Sequence, residues 1–416
     1  MLKMKSHSRR TFLKSGMLLS AAAATGLPAF GQETRDDWSD LLTLSILNTR
    51  SITVPVIIET VEVLEVEEQY IVRVRARGGA EGIAAANPRM MSLCYPIFQR
   101  RIVPVFLGKD ARDLESLLTE VYLTESNYKW QGLPFWSSLA AIEFALLDLL
   151  GKIAGVPVGE LLGGVVRRDI AVYHASEKRG NSPEAEMEYL QRLVDRIGNK
   201  AVKFRLGARM RYDDASTRRD KALIPLVRKV LGDDATLYAD ANGSYDVPLA
   251  IEIGRMMQDY GYDFYEEPVP FDAYEETREV AKKLRIPVAL GEQEPSMRQF
   301  LWMARTRAVG VLQPDLVYFG GLIRAVRVAK MAERAGLPCT PHMSGNGMGF
   351  LFVLHYASCV PNAGPYQEYK GLSEVPVTSD TSSLKPEKGK ITTPSGPGLG
   401  VTIDPDFVAK GKNILK

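Results

Sequence analysis

Two periodicities divide this chain. Over residues 57–77 apolar and polar positions alternate, with Val72 and Val74 set against Arg73 and Arg75. That period of two predicts a half-exposed antiparallel meander. A glycine- and alanine-rich stretch, GGAEGIAAANPRMM, follows as a loop. Helical patterns are predicted over residues 95–122 and 136–154, the second almost wholly apolar and stopped by Gly155 and Pro157. From Asp169 the pattern changes. Short β-branched or aromatic runs (IAVYHAS, AVKFRL, TLYAD, DFYEE, PVALGE, GVLQPD, LPCTPH, PYQEY) alternate with longer amphipathic ones. Eight strands separated by helices predict an α/β fold, a (β/α) TIM-like barrel rather than an open sheet. The earlier segment predicts an α+β cap, and the Pro-, Gly- and Ser-rich tail returns to it. The expected division is a cap over 45–165, a barrel over 166–370 and a returning segment over 371–416.

The barrel strands end in residues with usable chemistry. Asp240, Glu266 and Glu292 close three successive runs at intervals of 26 and 26 residues. Parallel strands of a barrel open their C-terminal ends on one face, so the three carboxylates converge. Crowded carboxylates repel unless a cation lies between them, and hard divalent ions such as Mg²⁺ take oxygen ligands. The register continues with intervals of 23, 27 and 26 residues to Asp315, His342 and Glu368. An Asp beside a His fixes its tautomer and raises its basicity, which suits an acid or base. Lys203 and Arg205, two apart on one strand, point to one face. Arg205 has a plainer reading, neutralisation of the acids. His174 stands at the first strand end, where it is expected to reach substrate. Glu267 and Glu294 are expected to point away from the cluster by strand alternation.

Composition is that of an ordinary globular protein, with 45% hydrophobic and 25% charged residues. The net charge of +2 gives no nucleic-acid signal. Five of the cations are Lys3, Lys5, Arg9, Arg10 and Lys14; without them 47 basic residues face 50 acidic ones, a net charge of −3. Residues 8–14, SRRTFLK, match the twin-arginine export pattern, and a weakly apolar run with a small-residue cleavage site follows. Residues 1–31 therefore read as a signal peptide. The run is shorter than the roughly 20 residues of a membrane span, so no stable anchor is expected after processing. A periplasmic or other extracytoplasmic location in a bacterium is expected. Cys94, Cys339 and Cys359 form no disulfide framework or zinc pattern and read as small buried residues.

The ordered set Lys-x-Arg, Asp-x-Asn, Glu-Glu-Pro, Gly-Glu, Gln-Pro-Asp…Gly-Gly, His and a final Glu resembles the mandelate racemase/muconate lactonizing enzyme branch of the enolase superfamily. The capping segment ALLDLLGKIAGVPVGELLGG is similar to that family too. The resemblance implies removal of the proton α to a carboxylate and an enediolate intermediate. It implies one Mg²⁺ on Asp240, Glu266 and Glu292, and Lys203 beside a carboxylate oxygen. It also implies a hydrogen bond from Glu368 if that group is protonated, and Asn242 against a substrate hydroxyl. Two cap loops in the family cover substrate, which points to Asn87, Arg89, Tyr128 and Trp130. A small carboxylate or sugar acid is the expected partner, and a homo-oligomer the expected assembly. One departure matters: the second lysine of the family motif is Arg205. Arginine's pKa stays above about 12, which makes it a poor base. Racemisation needs competent groups on both faces of the α-carbon, whereas dehydration can use His342 alone. The expected activity is therefore hydro-lyase chemistry on a sugar acid, giving a 2-keto-3-deoxy acid. Epimerisation or cycloisomerisation of a carboxylate is the alternative. An exported sugar-acid binding protein without chemistry would leave the base and electrophile without a role.

Overall fold

A computed structural model describes residues 37–344 and 348–415. The expected signal peptide lies outside the described residues. The rest, from Trp38, forms one compact unit.

The cap is an antiparallel meander of β1 (Ile58–Val66), β2 (Gln69–Ala76) and β3 (Glu81–Ala86). The third strand corrects the loop expected over this stretch. Its small side chains let the sheet lie close on the Leu133–Ala154 helix: a Cβ on Gly82 would collide with the Ala145 carbonyl and the Leu149 amide. That helix is long and apolar enough to cross a membrane, but 89% of its most apolar window is buried in the protein core. The helix expected over 95–122 is broken into Pro88–Ile97, a π turn at Phe98–Ile102, Val103–Phe106 and Leu114–Leu123. Pro96 and Pro104 each remove a backbone donor, and their rings crowd the preceding turn.

The barrel strands are β4 (Asp169–Ala175), β5 (Ala201–Arg205), β6 (Thr236–Asp240), β7 (Phe264–Glu266), β8 (Val288–Leu290), β9 (Val311–Leu312) and β10 (Gln367–Tyr369). They run parallel in the order β10-β4-β5-β6-β7-β8-β9. The run expected as a seventh strand makes only isolated bridges, Leu312 with Cys339 and Asp315 with His342. Pro338, Pro341 and Pro314 lack the N–H groups that a continuous ladder needs. Tyr173, Ala175, Ala201, Tyr238, Phe264, Ala289 and Val311 fill the barrel interior, with Tyr238 stacked on Phe264 at 3.8 Å. The register aligns Arg205 with Asp240 and Asp240 with Glu266, so the functional side chains share one level above this plug.

The tail reaches the cap, where Lys412–Asn413 pairs with β1. It also adds Lys390–Thr392 antiparallel to β4, a join to the barrel that the sequence pattern did not predict. Glu143 of the long cap helix accepts a hydrogen bond from the Ile323 amide at 2.9 Å, at the start of the barrel helix Leu322–Ala335. The Arg324 guanidinium lies 3.7 Å from the centre of the Trp136 ring and 4.3 Å from that of Phe319, tying the two layers together. All three cysteines are free and buried.

Candidate active site

Asp240 and Glu266 end their strands and Glu292 lies just past β8. All three are buried, and one carboxylate oxygen from each lies within 4.8 Å of the others. Asp240 Oδ1 accepts the Asn242 amide at 2.7 Å. Asp240 Oδ2 and Glu292 Oε2 have no hydrogen bond in acceptable geometry. These buried oxygens have Arg205 and His342 beside them but out of hydrogen-bond geometry, and an oxygen-seeking divalent cation would offset the desolvation penalty that remains. The donor set therefore fits such an ion.

Cations already lean on the cluster. Lys203, wholly buried, donates to Glu266 at 2.8 and 3.0 Å. It also pairs with Glu368 Oε1 at 3.1 Å, at an angle outside hydrogen-bond geometry. Burial lowers its pKa, but Glu266 and Glu368 outweigh that and hold it well above the usual lysine range. Arg205 pairs with Asp240 and donates its Nε to the Ser176 carbonyl at 3.1 Å. Burial opposes its charge too, and Glu368, Glu292 and Glu266 overcome it, so Arg205 stays protonated. Glu368 is the mirror case. Burial raises its pKa, while Lys203, Lys370, His342 and Arg205 pull it well below the usual range. An ionised Glu368 accepts, here from the Met343 amide at 3.3 Å; this corrects its expected role as a protonated donor.

His342 sits against Asp315, with Nδ1 2.6 Å from Oδ2. Asp315 is itself fixed: its Oδ1 accepts from Val317 N at 2.8 Å, Tyr318 N at 2.7 Å and Ser344 Oγ at 3.1 Å. The other ring nitrogen, Nε2, faces Glu292 at 3.1 Å and Glu368 at 3.7 Å. Burial lowers the His342 pKa, but Glu292, with Glu368 and Asp315, raises it above the ordinary value. The arrangement can hold a proton at Nε2 or accept one there.

One expected residue faces away from the site, and three others belong to the cap, where Asn87 lines a cavity with Val317 and Ser344. Tyr173 and Ala175 face into the barrel, so His174 between them faces out, edge-on to the Tyr369 ring at 6.1 Å. Strand alternation removes it from the substrate side. Asn87 caps the Pro88–Ile97 helix, its Oδ1 accepting from Met90 N. Tyr128 and Trp130 stand 41% and 52% exposed on the cap, packed beside Tyr122 and Arg101. No local pattern marks where Tyr128 and Trp130 fall, because that depends on how the cap loop folds. Asn242 is tied inside the site rather than left open to a substrate hydroxyl. Its Oδ1 accepts from Arg179 and, at 3.4 Å, from Arg205; its Nδ2 donates to Glu267 at 3.3 Å. Glu267 is also a correction. It has φ 42°, which breaks strand alternation and turns its buried carboxyl back toward the cluster. Burial first, then Glu292 and Glu266, raise its pKa well above the usual range. Glu294 does point away, bonded to Tyr274 and Ser296.

Two cations were missed. Lys370 lies two residues beyond Glu368, and its Nζ is 3.5 Å from Glu368 and 2.6 Å from the Met343 carbonyl. The same two-residue spacing that pairs Lys203 with Arg205 marks it. Arg179 comes from the loop after β4, where no periodicity applies.

Residues 44–163 match the N-terminal domain family of mandelate racemase/muconate lactonizing enzymes, and residues 185–407 match the enolase C-terminal domain-like family. The chain belongs to the mandelate racemase/muconate lactonizing enzyme branch of the enolase superfamily. It is 27% identical over 309 residues to arabinonate dehydratase of Saccharolobus solfataricus, covering 73% of this chain and 80% of that protein. It is 29% identical over 315 residues to D-galactarolactone cycloisomerase of Agrobacterium fabrum, covering 73% and 81%. A solved mandelate racemase/muconate lactonizing protein from Paracoccus denitrificans, complexed with magnesium, superposes with a TM-score of 0.77 at 30% identity, over 86% of this chain and 99% of that one.

Proposed function

We propose that the protein is a Mg²⁺-dependent dehydratase of a sugar acid, converting it to a 2-keto-3-deoxy acid. The observation that carries this reading is the asymmetry of the proton-handling groups. His342, oriented by Asp315 at 2.6 Å, is equipped to take a proton, whereas Arg205 is held cationic by the surrounding carboxylates. One competent base suits elimination and does not suit racemisation.

Asp240, Glu266 and Glu292 would hold one divalent ion, which when bound polarises the substrate carboxylate and lowers the barrier to α-proton loss. Lys203 adds fixed positive charge where the enediolate develops. His342 Nε2 takes the α-proton, and Asp315 stabilises the resulting imidazolium. The same imidazolium then delivers its proton to the β-hydroxyl, which leaves as water as the C–O bond breaks. The enol product tautomerises to the keto acid. Relatives named as dehydratases, among them the Saccharolobus protein, support this class.

A panel of acid sugars with Mg²⁺, read as 2-keto-acid formation, tests the proposal. Product is expected from at least one member. Turnover without net loss of water would instead favour cycloisomerisation, the activity named for the Agrobacterium relative. Ligand binding with no α-proton exchange would favour a non-catalytic binding protein. The proposal includes export in folded form, resting on the twin-arginine pattern at residues 8–14. Replacing Arg9 and Arg10 with lysine should hold the protein in the cytoplasm; unimpaired export would contradict that.

A further inference from the structure

Arg179 presents a charge that the proposed reaction does not use. The reacting carboxylate is already provided for by the metal triad and Lys203. Arg179 reaches over the mouth of the barrel, donating Nη1 to the Leu206 carbonyl at 3.0 Å and Nη2 to Asn242 Oδ1. Arg205 donates to that same amide oxygen. Two guanidinium groups thus share one neutral acceptor. Among the described residues, no carboxylate forms a salt bridge with Arg179. Burial, with Arg205, Arg209 and Arg219 nearby, pushes its pKa down to about 10, against the weaker opposing effect of Glu292. Arg209 is carried on a turn in which Gly207, Arg209 and Met210 have φ of 59°, 55° and 57°. The turn is pinned by the Met210 amide to the Asn242 carbonyl at 2.9 Å. Non-glycine residues hold such φ values only when the surroundings impose them.

A part-buried guanidinium facing other guanidinium groups is unfavourable until an anion joins them. A sugar hydroxyl would accept a hydrogen bond but leave the charge uncompensated. A carboxylate matches the planar fork and the charge together. We infer that Arg179, beside Arg205, forms a subsite for a second carboxylate, so that the preferred substrates are sugar acids with a carboxylate at both ends. The inference rests on the acid-sugar reading above.

Galactarate against galactonate, and glucarate against gluconate, isolate the group in question, because each pair differs only in the distal carboxylate. Turnover and calorimetric binding to the Mg²⁺-loaded full chain are measured for both pairs, in the wild-type protein and in Arg179→Gln and Arg179→Lys. The wild type should favour a diacid. Arg179→Gln should raise its KM and Kd by about 10- to 100-fold, the usual loss for a charge-assisted hydrogen bond. The monoacid values should move little, and Arg179→Lys should restore part of the difference. Melting temperatures of the variants establish that they fold. If Arg179 only orders Arg205 and Asn242, kcat falls alike for both classes, which overturns the inference. Equal binding of diacid and monoacid, indifferent to Arg179→Gln, also overturns it. Arg179-dependent diacid binding without turnover of any acid would keep the subsite and reject the reaction. Binding of neither class would reject both.

Discussion

Replacing Asp315 with asparagine changes one atom and should disable the base. The Oδ1 position accepts two backbone amides, from Val317 and Tyr318. The new amide cannot turn its NH₂ toward two N–H donors, so its oxygen stays there and its NH₂ faces His342 Nδ1. The ring must then accept at Nδ1 and carry its proton at Nε2, the nitrogen that faces the site. Its proton-accepting lone pair is lost. A wrong-tautomer histidine in the serine hydrolase triad loses about 10⁴-fold in kcat. That loss equals about 5.5 kcal/mol, at about 1.4 kcal/mol per tenfold. For Asp315→Asn a kcat loss of about 10³- to 10⁴-fold is expected. KM and calorimetric Mg²⁺ affinity should change little, because the three carboxylates are untouched. The assay is keto-acid formation on the best substrate of the panel, or α-proton exchange in D₂O. A variant within about tenfold of wild-type kcat would refute the tautomer argument.

Other perturbations test separate parts of the structure. Glu143 is buried and its pKa is pushed up to about 8. The proton it retains in the folded state means that its contribution is fully present below about pH 4.5 and is lost as pH rises toward 8, on the order of 5 kcal/mol in all. Glu143→Gln should flatten that slope in denaturant titrations at pH 5 and pH 8.5; an unchanged slope would contradict the burial argument. Mg²⁺ at about 100 times its Kd should add about 2.7 kcal/mol of stability, and EDTA should remove it. Asp240→Asn should shrink that Mg²⁺ response; an undiminished response would place the ion elsewhere. Lys203→Met strands Glu266 and Glu368 without their shared ammonium and should cost about 3–5 kcal/mol in the metal-free protein. A variant as stable as wild type would show that the pair is not held as described.

The barrel and its ring of functional side chains were legible because both follow from repetition. A βα unit of constant length places each strand-end residue on one face, which located Asp240, Glu266, Glu292, Asp315 and His342 at a common level. The failures have physical causes. His174 stands near its strand end but takes the wrong side of the strand, a matter of parity. Glu267 breaks parity because the chain turns left-handed just past the strand end. Prolines reduce the seventh strand to bridges. Asn87, Tyr128 and Trp130 lie on cap segments whose path no local period encodes, so the pattern could name them as candidates without placing them. Arg179 was invisible for the same reason, whereas Lys370 could have been read from its two-residue spacing to Glu368.

The proposed dehydration turns on His342 removing a proton α to a carboxylate at the three-acid site. Its most direct test follows that proton by NMR, with the Mg²⁺-loaded protein and an acid-sugar substrate in D₂O. Loss of the α-proton signal is expected with the wild-type protein and none above background with His342→Asn, in a variant that still binds Mg²⁺. Exchange by His342→Asn at the wild-type rate would contradict it.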